Sequence, residues 1–169
     1  MELWDAYKKD GTLAGCDICR GSSIPAGLFH TVCEILVKHI DGSYLLMQRD
    51  WNKEGYPGLF EASAGGSVLK GETAFRGALR ELKEETGIES DDWTMVYAQN
   101  DMKHTFYFGY LCVTDCPKDS VLLQENETIS YRWVSEDDFL KFINGSDCIQ
   151  SQTKRWFPFL DKIVGRPLC

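Results

Sequence analysis

The 169-residue chain is 43% hydrophobic, 12% aromatic and 26% charged, a balance that excludes a disordered tail, a collagenous rod or a membrane-embedded bundle and fits one globular domain. Eighteen Lys plus Arg against 26 Asp plus Glu give a net charge of −8, which argues against general binding to nucleic acid or to an anionic membrane surface. A small anionic substrate stays open if metal ions neutralise it.

In chain order, residues 29–38 and 43–49 are apolar or alternating runs joined across Asp41-Gly42, the signature of a hairpin. Residues 73–86 place Phe75, Ala78, Leu79 and Leu82 on one helical face with charges opposite, which predicts an amphipathic helix packed by those residues. Residues 94–100, 104–113 and 128–134 are rich in Tyr, Phe, Val, Thr and Ile and read as strands. Ser135 is placed to cap a short helix through Phe139, Leu140 and Phe142, which Gly145 ends. A last helix is expected over 152–164 with Trp156, Leu160 and Ile163 buried, Pro158 sitting in its first turn or kinking it. The first ten residues lack the basic-then-apolar order of a secretory signal, and no apolar run reaches the roughly 18 residues of a spanning helix. A cytoplasmic protein without a membrane anchor is therefore expected, its seven cysteines being thiols.

The chemistry concentrates around the 73–86 helix. At about 100° per residue, Glu81, Glu84 and Glu85 project within one arc. Like charges at that spacing repel, and Arg80 and Lys83 compensate only partly. A hard divalent ion such as Mg²⁺ would satisfy three converging carboxylates. Gly65 and Gly66 let the backbone approach closely, so that a carbonyl oxygen can join them. The competing reading is a solvated acidic helix face.

The segment Gly66, Glu72, Arg80-Glu81-Leu82, Glu84-Glu85, Gly87-Ile88 resembles the signature box of the Nudix hydrolases at every fixed position. Similarity extends over most of residues 29–143, including Tyr56 to Glu61 before the box and Arg132 to Ser135 after it. The resemblance implies an α/β/α sandwich with a mixed sheet: a single Nudix domain over 1–169, with 1–28 and 144–169 as flanking extensions. Those flanks are open to covering the pocket or to forming a homodimer interface.

The implied activity is metal-dependent hydrolysis of a nucleoside diphosphate linked to another moiety, with Mg²⁺ or Mn²⁺ held by Glu84, Glu85 and the Gly65 carbonyl. Glu81 is a further ligand or the base, Arg80 holds Glu81, and Glu72 supports the helix start. Glu127 is the best positional match for a further catalytic glutamate, with Glu125 close by. Arg49 and Lys53 are candidate phosphate contacts. Trp51, Tyr56 and Phe60 are candidates to stack on a base or cover a terpene chain, against plain core or rim packing. ADP-ribose, nucleotide sugars, oxidised nucleoside triphosphates and dinucleoside polyphosphates are unranked candidate substrates.

Gly27 to His30, Leu45 to Arg49 and Tyr56 to Gly58 also resemble isopentenyl-diphosphate isomerase, a branch of the family that moves a proton. That enzyme carries a catalytic cysteine and a metal-binding histidine where this chain has Ser63-Ala64-Gly65-Gly66. A third alternative is a non-catalytic, nucleotide-binding Nudix regulator. His30, His39 and His104 read as structural residues. Cys16 and Cys19, with Cys112 and Cys116, read as buried or incidental thiols ahead of a zinc site.

Overall fold

The computed structural model describes residues 1–164. Strands β1 (Leu3–Lys8) and β2 (Leu13–Cys19) form one hairpin; β3 (Leu28–His39) and β4 (Tyr44–Arg49) form a second across Asp41-Gly42, as expected. Short strands β5 (Phe60–Ala62) and β6 (Ala64–Ser67) lead to helix α1 (Ala74–Thr86). Then follow β7 (Asp92–Asn100), β8 (Thr105–Thr114), β9 (Thr128–Val134), α2 (Glu136–Ile143), α3 (Gln150–Trp156), a 3-10 turn (Phe157–Phe159) and α4 (Leu160–Ile163).

Strand β3 runs through the middle of the mixed sheet. It pairs in parallel with β8 and antiparallel with β1, β4 and β6. It is buried along nearly its whole length, on both faces, polar residues such as Thr31, Glu34 and Lys38 included. Alternation sends Cys33, Ile35 and Val37 to one side, where Leu45 and Met47 join them beneath Ala78 and Leu82 of α1. Leu36, Tyr44 and Leu46 face the other side and pack against Phe139, Phe142, Trp156 and Ile163 of the C-terminal helices. The result is the expected α/β/α sandwich. Full burial of a side chain such as Leu82 contributes about 2 kcal/mol, and the two layers are built from many such residues.

Helix α1 begins where Thr73 Oγ1 accepts from Arg76 N at 3.2 Å and ends at Gly87, whose φ of 72° closes the helix with its N–H on Lys83 O. Helix α2 begins at Ser135, whose side chain accepts from Asp138 N.

Two expectations need correction. Phe75 and Leu79 are 39% and 40% exposed; α1 is turned so that Gly77, Ala78, Leu82 and Glu85 face the sheet. Phe75 instead lies beside Trp93 and Tyr110. The helix expected over 152–164 is broken at the 3-10 turn holding Pro158, which has no N–H to continue an α-helical ladder. Trp156 and Ile163 are nevertheless fully buried. The flank 1–28 contains the β1–β2 hairpin, which pairs with β3. Of the 144–169 flank, residues 165–169 lie outside the described residues.

Candidate active site

Strand β6 carries Gly65 and Gly66 opposite Glu34 and Cys33 of β3. A Cβ on Gly65 would stand 2.6 Å from the Cys33 carbonyl oxygen, so only glycine allows this strand pairing. A Cβ on Gly66 would stand 2.5 Å from the Glu81 carboxylate. The glycines therefore bring bare backbone against the acidic face of α1.

Glu81, Glu84 and Glu85 line one cavity of about 240 Å³ together with Gly65, Gly66 and Arg80. Glu85 is buried and accepts from Gly65 N at 3.1 Å. Burial, and then the nearby Glu61 and Glu81 charges, push its carboxyl well above the ordinary range. Burial also raises Glu81, against the pull of Arg80.

Arg80 ties the cluster together. Its Nε and Nη2 donate to the two oxygens of Glu72 at 3.0 and 3.1 Å, and Nη2 also donates to Ser67 O at 3.1 Å. Nη1 donates to Glu81 at 2.8 Å and to Glu84 at 3.1 Å. All five guanidinium N–H groups thus have a partner, which only an arginine fork can arrange. Glu72 also accepts from Leu69 N; burial would raise its carboxyl, but these hydrogen bonds outweigh it and leave the value lowered.

Lys53 pairs with Glu127, and Arg49 Nη1 donates to Glu61 at 3.0 Å while its Nε donates to Gly55 O. Arg49, Lys53 and Glu127 all line the cavity. Glu125 is exposed and outside it. Tyr56 is also outside: it is half-exposed, with its hydroxyl 3.3 Å from Ser151 Oγ. Trp51 lies against Gly58, and Phe60 lies under the Arg132 guanidinium.

Sequence reasoning missed Glu2, Arg20 and Gln124, which also line the cavity, and Glu61, half-buried beside Arg49. Glu61 sits between an apolar and a small residue on a three-residue strand, too short a stretch for alternation to show. Glu2 and Arg20 reach the cavity only through the hairpin fold.

Among the described residues, no three His, Cys, Asp or Glu side chains are already gathered as a metal-holding group. Arg80 draws oxygens of both Glu81 and Glu84 onto its own Nη1. The donors themselves suit a hard divalent cation: they are all oxygens, and neighbouring carboxylates add to the raised proton affinity of Glu81 and Glu85. Among the described residues, no cysteines are gathered as a zinc-holding group. Cys16 and Cys19 lie on β2, joined to the Phe29 end of β3 through β1, whereas Cys112 lies opposite Val37 near the other end.

None of the three histidines lines the cavity. His30 stacks on Trp4 at 4.6 Å and its Nε2 lies 3.2 Å from Thr105 Oγ1; His104 bonds Leu28 O, and His39 pairs with Asp41. Ser63 is fully buried, accepting from Val37 N and donating to Leu45 O at 2.8 Å each. It joins β3 to β4 and does not line the cavity. Cys33 is buried below Gly66, and burial pushes its thiol up to about 12, so it stays protonated at neutral pH.

Gly66→Ala gives a direct test of the close approach. The added Cβ meets the far end of a flexible side chain, so the protein should fold and melt within a few degrees of wild type. Glu81 must swing away, and turnover should drop by roughly 10- to 100-fold. Unchanged turnover with a preserved melting temperature would show that Glu81 need not occupy this position.

The NUDIX domain family matches residues 30–157. An uncharacterized Nudix hydrolase of Listeria monocytogenes is 31% identical over 139 residues, covering 82% of each chain. An isopentenyl-diphosphate Delta-isomerase of Salmonella heidelberg is 30% identical over 99 residues, 55% of each chain. A Deinococcus radiodurans crystal structure superposes with a TM-score of 0.77 at 19% identity, over 94% of this chain and 99% of that one. With the family match and the Listeria relative both spanning most of its length, the chain belongs to the Nudix hydrolase family.

Proposed function

We propose that this chain is a divalent-metal-dependent diphosphohydrolase, adding water across the phosphoanhydride of a nucleoside diphosphate linked to another moiety. The observation that carries this reading is the convergence of Glu81, Glu84, Glu85, Glu127 and Arg80 on one cavity floored by Gly65 and Gly66.

Glu84, Glu85 and the Gly65 carbonyl would hold Mg²⁺ or Mn²⁺, with Glu81 as a further ligand or as the base. When bound, the metal neutralises the diphosphate oxygens and acidifies a water. Arg49 and Lys53, which line the same cavity, would bind the diphosphate oxygens and align the anhydride. Glu81 or Glu127 takes the proton as the water oxygen bonds to phosphorus and the bridging P–O bond breaks. Arg80 orients Glu81 for either role. Glu72 in turn fixes Arg80.

The isomerase reading is weaker because the residues it would use are tied up or missing. Ser63 is spent on backbone hydrogen bonds, and the thiol that contacts Gly66 is the buried Cys33. The proposed setting is a cytoplasm, which supplies Mg²⁺; among the described residues no helix is long and apolar enough to cross a membrane.

The test is product mass from a panel of nucleoside diphosphate compounds and isopentenyl diphosphate, with Mg²⁺ and with EDTA. Cleavage that EDTA abolishes and Mg²⁺ restores is expected. Isomerisation of isopentenyl diphosphate, or tight binding of one compound without cleavage, would overturn the hydrolase reading in favour of the isomerase or the regulator.

A further inference from the structure

The lip of the cavity is built by a segment outside residues 30–157, the part that matches the family. Hairpin β1–β2 pairs Tyr7 with Phe29 of β3 and is fastened to the approach to α1. Lys70 N donates to Leu3 O at 2.9 Å, Gly71 N donates to Asp5 Oδ2 at 2.7 Å, and Lys70 Nζ pairs with Asp17 at 2.6 Å. Leu69 packs on the cluster of Trp4, Ala6 and Ile18 beneath the hairpin. These contacts carry Glu2, before β1, and Arg20, just past β2, to the cavity that Glu81 and Glu84 line.

Four cations line that cavity, and each has a carboxylate partner: Arg20 with Glu2, Arg49 with Glu61, Lys53 with Glu127 and Arg80 with Glu72. They differ in how firmly they are held. The side chains of Arg49 and Glu61 are 18% and 12% exposed, whereas those of Arg20 and Glu2 are 58% and 44% exposed, with Nη1 to Oε2 at 2.8 Å. An exposed pair contributes little stability. An incoming anion therefore displaces Glu2 from Arg20 more cheaply than it displaces the other three partners. No aromatic ring is among the described residues lining the cavity, so phosphate recognition rests on these cations.

We propose that Arg20 is a phosphate-binding residue of this site, exchanging Glu2 for phosphate oxygens of the substrate through charge-assisted hydrogen bonds. The proposal rests on the diphosphohydrolase reading and adds a specificity element to it. Arg20 favours substrates whose phosphates carry negative charge beyond what the α1 site balances, and Glu2 competes for the same guanidinium.

The test is calorimetric titration with methylenediphosphonate, whose P–C–P bridge cannot be hydrolysed, in Mg²⁺ buffer. Wild type is compared with Arg20→Gln, Glu2→Gln and Lys9→Gln, the last removing an exposed cation in the β1–β2 turn, away from the cavity. Arg20→Gln should weaken binding about tenfold, the loss of one charge-assisted contact. Glu2→Gln should tighten it, and Lys9→Gln should stay within about twofold. Arg20→Gln binding within twofold of wild type, Glu2→Gln weakening the complex, or Lys9→Gln weakening it as much as Arg20→Gln would each overturn the role of Arg20. Wild type that binds no diphosphonate and cleaves nothing in the panel would overturn the hydrolase reading as well.

Discussion

Glu85→Gln should abolish hydrolysis while leaving the metal-free protein at least as stable as wild type at pH 8. Removing a metal-holding carboxylate forfeits several kcal/mol of transition-state charge stabilisation, so turnover should fall by about a thousandfold or more. Stability should move the other way. Glu85 is buried among Glu61 and Glu81, and its main satisfied contact is Gly65 N. A glutamine keeps an oxygen for that N–H and removes a buried like charge. Glu84→Gln provides the contrast: its side chain is 48% exposed, so activity should fall comparably while stability stays within about 0.5 kcal/mol.

The pH dependence gives this prediction its sign. The folded-state values of Glu61, Glu81 and Glu85 are raised, in each case chiefly by burial. A group raised on folding contributes stability that is fully present below its unfolded value of 4.5 and is lost as pH rises through the folded value. Glu72 and Asp101 are lowered and act oppositely, contributing above their unfolded values and losing that contribution as pH falls.

The difference between wild type and Glu85→Gln isolates the first effect. In EDTA, the melting temperature of Glu85→Gln relative to wild type should grow from pH 5 to pH 8 by several degrees, since about 1 kcal/mol moves a domain of this size by roughly 2–4 °C. Mg²⁺ should close that gap by raising wild type alone. Melting curves in which Glu85→Gln loses stability with rising pH as steeply as wild type would remove Glu85 from the strained cluster. An active Glu85→Gln enzyme would remove it from the metal site.

What could be read from the residues follows how locally each feature is encoded. Strands β3, β4, β8 and β9 and helix α1 announce themselves through long apolar runs, a two-residue turn and a capped periodic stretch. The carboxylate face of α1 is likewise local, since Glu81, Glu84 and Glu85 share one helix. Hairpin β1–β2 is not legible that way: β2 is exposed along most of its length, so little alternation marks it. Its order comes from pairing with β3 and from contacts with Lys70 and Gly71, all distant in sequence.

The same limit hides Arg20 from a sequence reading. Periodicity does place Phe75 and Leu79 near the apolar side of α1, but the helix packs with Gly77, Ala78, Leu82 and Glu85 toward the sheet, a rotation fixed by tertiary packing. That rotation leaves both residues on the flank of the buried arc.

Arg155→Met should be the most destabilising single change on the opposite layer. Glu34 on β3 is 4% exposed and accepts from Arg155 Nε at 2.8 Å, from Arg155 Nη2 and from the Tyr97 hydroxyl. The guanidinium also lies over the Tyr107 ring at 4.0 Å. Methionine can replace the aliphatic packing but leaves the Glu34 carboxylate buried without its cation, a loss of about 3–5 kcal/mol. For a domain of this size the melting temperature should drop by roughly 10 °C. The double variant Glu34→Gln with Arg155→Met should recover most of the loss, because it removes the stranded charge as well as its partner.

The consequence reaches the active site through β3. Glu34 is the register partner of Gly65, so the ion pair that pins α3 to the sheet also fixes the strand against which the Gly65 N–H is aimed at Glu85. Urea denaturation of the two single variants and the double variant measures the coupling. A loss below about 1 kcal/mol for Arg155→Met, or a double variant no more stable than the single, would show that Glu34 finds its compensation elsewhere in the sheet.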